Sequence, residues 1–282
     1  MKKLLIALFA TIAIALFALP PKSITLESGK VRVRLDSLKR WNINKIEWQN
    51  RLFGIDNPGA HYGIAYQPQG SKFFIGSGHD ESGVGEKFIS LKIKVDNKEV
   101  TPVENVVIKG KKIEVEKISQ ITDLNVKYYF CIENDTLDEK VEMTASKNVK
   151  INFLYFFMHP WSTRFDKFHA LFDNGKTKDI TFNSKGSFPN REFVPSAAWH
   201  DSKSGLGVAT IIKNVKGKKN PMRFVWDRSS YRKDYICDYA HSTFTTNIQV
   251  IYKARTGFFM QQDNKKWVND AQSLFKKLNK NF

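Results

Sequence analysis

The amino-acid sequence predicts an all-β protein, a large antiparallel β-sandwich closed by a short C-terminal helix. Apolar and polar residues alternate in many short segments, as in residues 31–35 and 91–95, which is typical of strands with one buried face. Glycine, asparagine and aspartate turn signals separate these segments, and no long helical pattern lies between them. Short strands at regular intervals favour a sandwich or a barrel over other all-β folds.

The strand pattern continues along most of the chain. Residues 124–130 and 140–145 resemble the two arms of a hairpin, with turn residues around Asn134. Residues 151–157 are almost wholly apolar, which predicts a strand that is covered on both faces. Further strands are expected at residues 113–116, 207–213, 222–226 and 245–253.

The C-terminal segment departs from the β pattern. Asp263 is a favourable N-cap residue, and the apolar residues Trp267, Ala271 and Leu278 recur at helical spacing. We expect this helix to pack on the sandwich as a closing element. Residues 22–282 are therefore expected to form a single β-sandwich domain.

Residues 1–21 are interpreted as a targeting segment outside the fold. Two lysines precede residues 4–19, which carry no charge, and Pro20 and Pro21 end the run. The run is shorter than the roughly 20 apolar residues of a spanning helix, so a signal peptide and an exported protein are expected. An uncleaved anchor stays open as the alternative, because no small-x-small cleavage site directly precedes Pro20. The membrane would then be contacted through this segment alone.

The charge of the chain restricts the classes of molecule that are expected to bind it. Lysine and arginine number 45 against 28 aspartates and glutamates, for a formal net charge of +17. A solvated lysine-rich surface accounts for this charge, and the alternative is attraction to a polyanion. Export argues against nucleic acid as that polyanion, and so does the lack of an arginine-rich arm or a basic amphipathic helix. An acidic polysaccharide or an anionic envelope surface is the expected anionic partner.

The few cysteines and the lack of common catalytic motifs argue against several classes of metal site and of hydrolase. Cys131 and Cys237 are the two cysteines of the chain, and either a disulfide or two free thiols is compatible with their wide separation. Zinc-type spacings, an HExxH pair and a GxSxG elbow are all missing from the sequence. We therefore expect no metal ion and no cofactor.

Two loop-like segments carry the first candidate site residues. Residues 73–86 contain four glycines together with His79 and Glu81, which favours a site loop with an acid/base residue. The alternative is an ordinary surface connection. His159, which follows the apolar strand, titrates near neutral pH and is a candidate proton carrier. The alternative for His159 is a structural histidine in the core. Its neighbours Trp161 and Arg164 are candidates for stacking on a sugar ring and for charge recognition.

Two later segments carry the remaining candidates. Arg191 is suited to a bidentate contact with a carboxylate, and the adjacent Glu192 is a candidate base. Trp199 and His200 precede a turn between strands and combine an aromatic ring with a titrating group. Tyr235, in a segment rich in tyrosine and charge, is a candidate proton donor.

Three stretches carry a family resemblance. Residues 44–52 look like an early strand pair around an aromatic residue, and residues 152–157 lead to His159 as a strand leads to the catalytic histidine of epimerases. Residues 199–208 look like an aromatic, turn, glycine and strand sequence. The order resembles the galactose-mutarotase-like β-supersandwich of aldose epimerases and of domains in polysaccharide lyases and glycoside hydrolases. One departure is that no glutamate follows His241, where epimerases of this fold place a catalytic glutamate.

The resemblance and the residues together predict an exported carbohydrate-active protein. The predicted catalytic residues are His79, His159, Glu192, His200 and Tyr235. The predicted substrate-binding residues are Glu81, Trp161, Arg164, Arg191 and Trp199. Sugar epimerisation and β-elimination from a uronate both suit these groups. The competing class is a non-catalytic module that binds a glycan or a protein, and convergence of the three histidines in one pocket would favour an enzyme.

Overall fold

The structure is a computed structural model, and it describes residues 22–57, 59–79, 83–102, 105–184, 186–216, 222–238, 241–280 and 282. The targeting segment predicted for residues 1–21 lies outside these ranges. Within them, no helix is both long and apolar enough to cross a bilayer.

Strands dominate the described chain, and one α-helix follows them, which confirms the predicted fold class. The elements are β1 (Ser23–Ser28), β2 (Val31–Asp36), β3 (Asn42–Trp48), β4 (Arg51–Gly54), β5 (Ala65–Pro68), β6 (Ile75–Gly76), β7 (Lys87–Val95), β8 (Lys98–Val100), β9 (Val107–Lys109), β10 (Lys112–Ile121), β11 (Leu124–Glu133), β12 (Thr136–Ala145), β13 (Val149–Trp161), β14 (Lys167–Leu171), β15 (Thr177–Thr181), β16 (Ser187–Glu192), β17 (Ser196–His200), β18 (Leu206–Lys216), β19 (Met222–Asp227), β20 (Arg232–Asp238), β21 (Ser242–Phe244), β22 (Gln249–Met260) and α1 (Trp267–Asn279). A 3-10 turn at Ser37–Lys39 connects β2 to β3.

The strands form two large sheets that pack face to face. Sheet A has the order β16-β19-β20-β13-β4-β3-β2-β1-β9, with β5, β6 and β21 attached beside β13. Sheet B has the order β15-β14-β17-β18-β22-β12-β11-β10-β7-β8. Neighbouring strands are antiparallel except for the pair β1 and β9. We call the side of each sheet that points away from the other sheet its outer face.

Turn chemistry fixes the register of the central hairpins. Asn134 and Asp135, which join β11 to β12, both have positive φ angles, of 52° and 60°. Two consecutive residues in this region are what a tight two-residue hairpin turn requires, and asparagine and aspartate adopt it readily. The resulting register sends Val115, Phe130 and Val141 of three adjacent strands into the core, where each is fully buried. The intervening polar residues point to the outer face of sheet B.

Helix α1 covers part of the outer face of sheet B. Its buried side chains pack against small and aliphatic residues of β17 and β18, among them Ala198, Ala209 and Ile211. The buried residues of the helix are Trp267, Ala271, Phe275 and Leu278. The predicted closing element is therefore present, and the sheet beneath it is covered on both faces.

A buried ion pair anchors the glycine-rich loop that precedes β7. Lys117 Nζ lies 2.7 Å from Glu86 Oε1, and both side chains are almost completely excluded from solvent. Ser77 and Ser119 donate hydrogen bonds to the same carboxylate, at 2.7 Å and 2.6 Å. Burial alone would raise the pKa of Glu86, but Lys117 and these donors outweigh burial and hold the pKa below its ordinary value. The loop thus has a fixed polar anchor inside the sandwich.

Candidate aromatic site

Five aromatic side chains share the outer face of sheet A. Alternate positions of adjacent strands β13, β20 and β19 point outward, and the loop before β6 adds one more ring. We call this surface the aromatic face; its rings belong to Phe74, Tyr155, Phe224, Trp226 and Tyr235. Three neighbouring strands spaced by about 4.8 Å extend this surface over roughly 10 Å.

The rings of the aromatic face contact one another in a continuous layer. Phe74 is stacked on Tyr155, with ring centroids 5.0 Å apart and an angle of 16° between the planes. Tyr155 lies 4.8 Å from Tyr235, whose ring is 6.2 Å from that of Trp226. Burial, with Tyr231 and Tyr155 as further causes, raises the pKa of Tyr235. Tyr235 therefore keeps its proton at neutral pH and is suited to donating a hydrogen bond, not to transferring a proton.

Cationic side chains accompany the rings. The Arg228 guanidinium lies 4.8 Å from the Trp226 ring centre, and Lys233 Nζ lies 4.8 Å from that of Tyr235. Arg191, on the neighbouring strand β16, is exposed and lowers the pKa of Tyr155 electrostatically, although burial outweighs it. Among the described residues, the outward positions of β13, β16, β19 and β20 carry no carboxylate. Two exposed arginines, Arg191 and Arg228, therefore accompany the rings on this face.

A polar corner adjoins the aromatic face. His79 lies with its ring 5.7 Å from that of Phe74 and 5.6 Å from that of His61. His61 Nδ1 is 3.7 Å from Asp56 Oδ1, and the two side chains are only 16% and 9% exposed. A carboxylate and two imidazoles close together are side chains that acid/base catalysis uses. This corner, made of Asp56, His61 and His79, is the part of the surface best equipped for proton transfer.

Glycine makes the close packing of the corner possible. Gly78 has a φ of +67°, and a Cβ atom there would lie 2.2 Å from the His61 ring. A side chain at this position would therefore displace His61 and strain the backbone. The glycine-rich segment that drew attention to His79 thus serves to admit His61. Asp56 and His61 are not predictable as site residues from the sequence, because they lie next to turn residues and no spacing rule connects them to His79.

Solved structures superpose on most of the chain. The Slr1438 protein of Synechocystis sp. PCC 6803 matches with a TM-score of 0.52 at 8% identity, over 88% of this chain and 99% of its own. A galactose mutarotase-like protein of Clostridium acetobutylicum matches with a TM-score of 0.50 at 8% identity, over 84% of this chain and 95% of its own. The chain has the galactose-mutarotase-like fold. The predicted resemblance is thereby confirmed at the level of the fold.

A larger protein contains the same fold as one part. The GH36 alpha-galactosidase AgaA of Geobacillus stearothermophilus matches with a TM-score of 0.52 at 8% identity, over 85% of this chain but 41% of its own. The galactose-mutarotase-like fold therefore spans less than half of AgaA. No family model and no curated protein matches the sequence of this chain.

Within this fold, His159 lies in the core and not at a surface site. It points from β13 toward sheet B and is 2% exposed. Its Nε2 lies 2.9 Å from Glu139 Oε2, and Tyr128 donates a 2.5 Å hydrogen bond to the other oxygen of that carboxylate. Burial lowers the pKa of His159, but Glu139 and Asp234 outweigh burial and raise it. His159 is thus half of a buried ion pair between the sheets, a position that fits the alternative of a structural histidine in the core.

The two predicted substrate-binding tryptophans are also core residues. Trp161 and Trp199 are fully buried, and their rings contact each other at 5.7 Å between the two sheets. Neither indole reaches the surface, so stacking on a sugar ring is excluded for both in this structure. Arg164 lies in the connection after β13, where it forms a 2.9 Å ion pair with Asp201. That pair links two turns at one end of the sandwich, away from the aromatic face.

His200 lies beneath helix α1. Its ring is stacked on Trp267 at 4.9 Å with an angle of 6°, and its Nε2 is 2.9 Å from the carbonyl oxygen of Gln261. Burial lowers the pKa of His200 more than this hydrogen bond raises it, so the ring is neutral near pH 7. His200 therefore attaches the helix to the sheet. Its place on the outer face of sheet B separates it from both His159 and His79.

The remaining predicted residues divide between the aromatic face and its surroundings. Arg191 and Tyr235 belong to the aromatic face, and His79 belongs to the polar corner beside it. Glu192 is exposed and forms a 2.8 Å ion pair with Lys178 of sheet B. Glu81 lies outside the described residues. The three predicted histidines occupy three different layers of the sandwich, so they do not converge in one pocket.

The cysteines are free thiols on opposite sheets. Cys131 points to the outer face of sheet B, whereas Cys237 is buried on the outer side of sheet A, next to Tyr155 in register. Of the two states that the sequence left open, the structure has the free thiols. Burial raises the pKa of Cys131 to about 12.

Proposed function

We propose that this chain is a carbohydrate-binding protein and that the aromatic face is its binding surface. The observation that carries the proposal is the continuous layer of rings on β13, β19 and β20. Sugar rings present apolar C–H faces that pack against aromatic rings, while their hydroxyls seek polar partners at the edges. Tyr235 and Arg228 supply such polar groups beside the rings.

An acidic glycan is the ligand class that suits the charge of this face. Arg191 and Arg228 are exposed beside the rings, and the outward positions of the described strands there offer no carboxylate to repel an anion. Arginine recognises carboxylates and sulfates through paired hydrogen bonds. The similar structure of AgaA holds the oligosaccharide stachyose. It supports a sugar as the ligand, and the acidic character rests on the cations of this chain.

Export is part of the same proposal. The uncharged run at residues 4–19 behind two lysines has the form of a targeting segment, and acidic polysaccharides are envelope and extracellular polymers. Fractionation of cells that produce the full chain tests this point. Recovery of the chain in the cytosol would contradict export without affecting the binding surface.

The binding test compares variants on opposite faces of the sandwich. Trp226→Ala removes a partly exposed ring from the aromatic face, and Tyr129→Ala is the matched control, because Tyr129 is a partly exposed ring on the outer face of sheet B. Calorimetric titration of a panel of neutral and uronate-containing oligosaccharides gives the affinities. We expect Trp226→Ala to weaken binding by at least about tenfold and Tyr129→Ala to leave it unchanged. Equal effects of the two variants would refute the proposed surface.

A second candidate function is acid/base chemistry on the bound sugar. The observation that favours it is the polar corner, where the Asp56 carboxylate lies 3.7 Å from His61 Nδ1 and the His61 ring lies 5.6 Å from that of His79, at the edge of the aromatic face. Epimerisation or β-elimination from a uronate would use an imidazole of this corner as the base. A screen of uronate-containing polysaccharides for unsaturated product absorbance tests the elimination. His61→Gln should abolish turnover and preserve binding, whereas wild-type protein that binds without turnover would leave the chain a binding protein.

A further inference from the structure

Four large apolar side chains are exposed near one edge of the sandwich. Leu38 is 85% exposed, Ile89 52%, Val84 42% and Phe88 37%. Phe88 and Ile89 are consecutive residues at a bulge in β7, so neither contributes to the core. We call these four residues the apolar patch. Clustered exposed apolar side chains of this size are typical of interaction surfaces.

The two chain segments that carry the patch residues are fastened to each other. Leu38 lies in the 3-10 turn before β3, and the other three residues lie at or just before the start of β7. The rings of Trp41 and Phe88 are 6.5 Å apart. Asn42 Nδ2 donates a 2.8 Å hydrogen bond to the buried Glu86 carboxylate, one residue before β7 begins. These contacts hold the turn and the strand start side by side.

The N-terminal segment joins the fold at this same place. The backbone N–H of Ser37 donates a 2.9 Å hydrogen bond to the carbonyl oxygen of Lys22, the first described residue. Lys22 is therefore bonded to the residue that directly precedes Leu38. Residues 4–19, which carry no charge, precede it with only two prolines between. A bilayer that held residues 4–19 would be joined to the described fold through Lys22, which is bonded next to Leu38.

Basic side chains border the patch. Lys22 and Lys87 are exposed, and no carboxylate of the described residues lies within ion-pair distance of either. Exposed lysines at this position suit the phosphate groups of anionic lipids. A second copy of the chain is a poorer occupant, because a symmetric contact through this patch would bring these lysines toward their own equivalents.

We propose that the apolar patch rests on a lipid bilayer that contains anionic lipids, while residues 4–19 tether the chain to it. Leu38 and Ile89 enter the boundary between head groups and acyl chains, and Lys22 and Lys87 contact lipid phosphates. The tether raises the local concentration of the patch at the membrane, so a small apolar area suffices. This inference does not depend on the sugar-binding proposal, which concerns the aromatic face.

Site-specific fluorescence on the full chain in lipid nanodiscs tests the proposal. A polarity-sensitive probe is attached at Leu38→Cys or at Ile89→Cys, in a Cys131→Ser background. The matched control is Met260→Cys, because Met260 is 50% exposed at the far end of β22. We expect a blue-shifted probe that lipid-borne quenchers reach at positions 38 and 89, and a water-exposed probe at Met260. Equal, water-like signals at all three positions would overturn the proposal.

Changes in lipid composition and in the charge of the chain distinguish a bilayer from other molecules that could cover the apolar patch. Replacing Lys87 with glutamine should lower the ratio of buried to exposed probe about fivefold. Replacing anionic lipids with neutral ones should lower this ratio by about the same factor for each lysine that loses its contact with lipid phosphate. The same chain held in amphipathic polymer without lipid should give a water-exposed probe at Leu38→Cys. A probe that stays buried without lipid would mean that a second copy or residues 4–19 cover the patch, and this too would overturn the proposal.

Discussion

Replacing His159 with alanine is expected to lower the free energy of unfolding by about 3–5 kcal/mol. The side chain is 2% exposed and its Nε2 lies 2.9 Å from Glu139 Oε2, so the substitution leaves a buried carboxylate without its counter-ion. Tyr128 still donates to Glu139, but one neutral hydrogen bond compensates only part of the charge. A catalytic His159 would instead lose activity with an unchanged thermal transition.

The pH dependence of this loss follows from the direction of the shift. Burial lowers the pKa of His159, but the carboxylates of Glu139 and Asp234 raise it above its ordinary value of 6.5. A raised pKa contributes stability that is fully present below the unfolded-state pKa and disappears as the pH rises through the folded-state pKa. The difference between wild type and His159→Ala should therefore be largest below pH 6.5 and shrink in alkaline solution.

Urea denaturation of a double-mutant cycle measures the pair. We expect His159→Ala and Glu139→Gln to be each destabilising, and the double variant to lose less than the sum by about 1–3 kcal/mol. The control is His241→Asn, an exposed histidine with a φ of +48°, a region that asparagine tolerates. Its unfolding free energy should stay within about 0.5 kcal/mol of wild type. Additive effects, or a loss below about 1 kcal/mol for His159→Ala, would refute the reasoning.

Three further predictions concern other parts of the fold. His200→Ala removes the ring stacked on Trp267 and should loosen α1 by about 1 kcal/mol, measured as faster proteolysis of the C-terminal helix. Glu86→Gln leaves Lys117 unpaired and should cost about 3–5 kcal/mol at pH 7 in urea denaturation. Because the pKa of Glu86 is lowered, the ionised carboxylate stabilises the wild type above pH 4.5, and this stabilisation is lost as the pH falls. The difference in unfolding free energy between wild type and Glu86→Gln should therefore become smaller in acid. Cys131, with a pKa of about 12, should be alkylated at pH 8 at least about tenfold more slowly than in urea-unfolded protein, followed by mass spectrometry.

The fold was predictable because its strands carry strict alternation. In β10, β11 and β12 every second residue is buried, and all but Lys117, Ser119 and Glu139 of these are apolar, so the pattern that identified the strands also assigned most of their inner faces. The last strand was located less well, at 245–253 instead of Gln249–Met260. Its second half lies beside helix α1, so both faces are covered there and the alternation disappears.

The aromatic face and the polar corner were predictable only in part. Tyr235 and His79 stood out by composition, but their partners come from distant segments whose meeting depends on sheet order. Trp226 and Tyr235 are neighbours because β19 pairs with β20, and Tyr155 joins them because β13 is the next strand. Antiparallel pairing across long connections is not encoded in any local spacing. His61 and His79 meet for a similar reason, through a loop that Gly78 allows to pack closely.

One irregularity in β13 explains why its histidine was misplaced. Tyr155 points outward to the aromatic face, and strict alternation from it would send Phe157, His159 and Trp161 outward as well. The register with β20 shifts between Tyr155 and Phe157, so the side chains beyond the shift change faces and enter the core. The same bulge therefore builds two features at once. It leaves Tyr155 on the surface proposed for sugar binding, and it directs His159 toward Glu139 of sheet B, where the charge pair joins the two sheets beneath that surface.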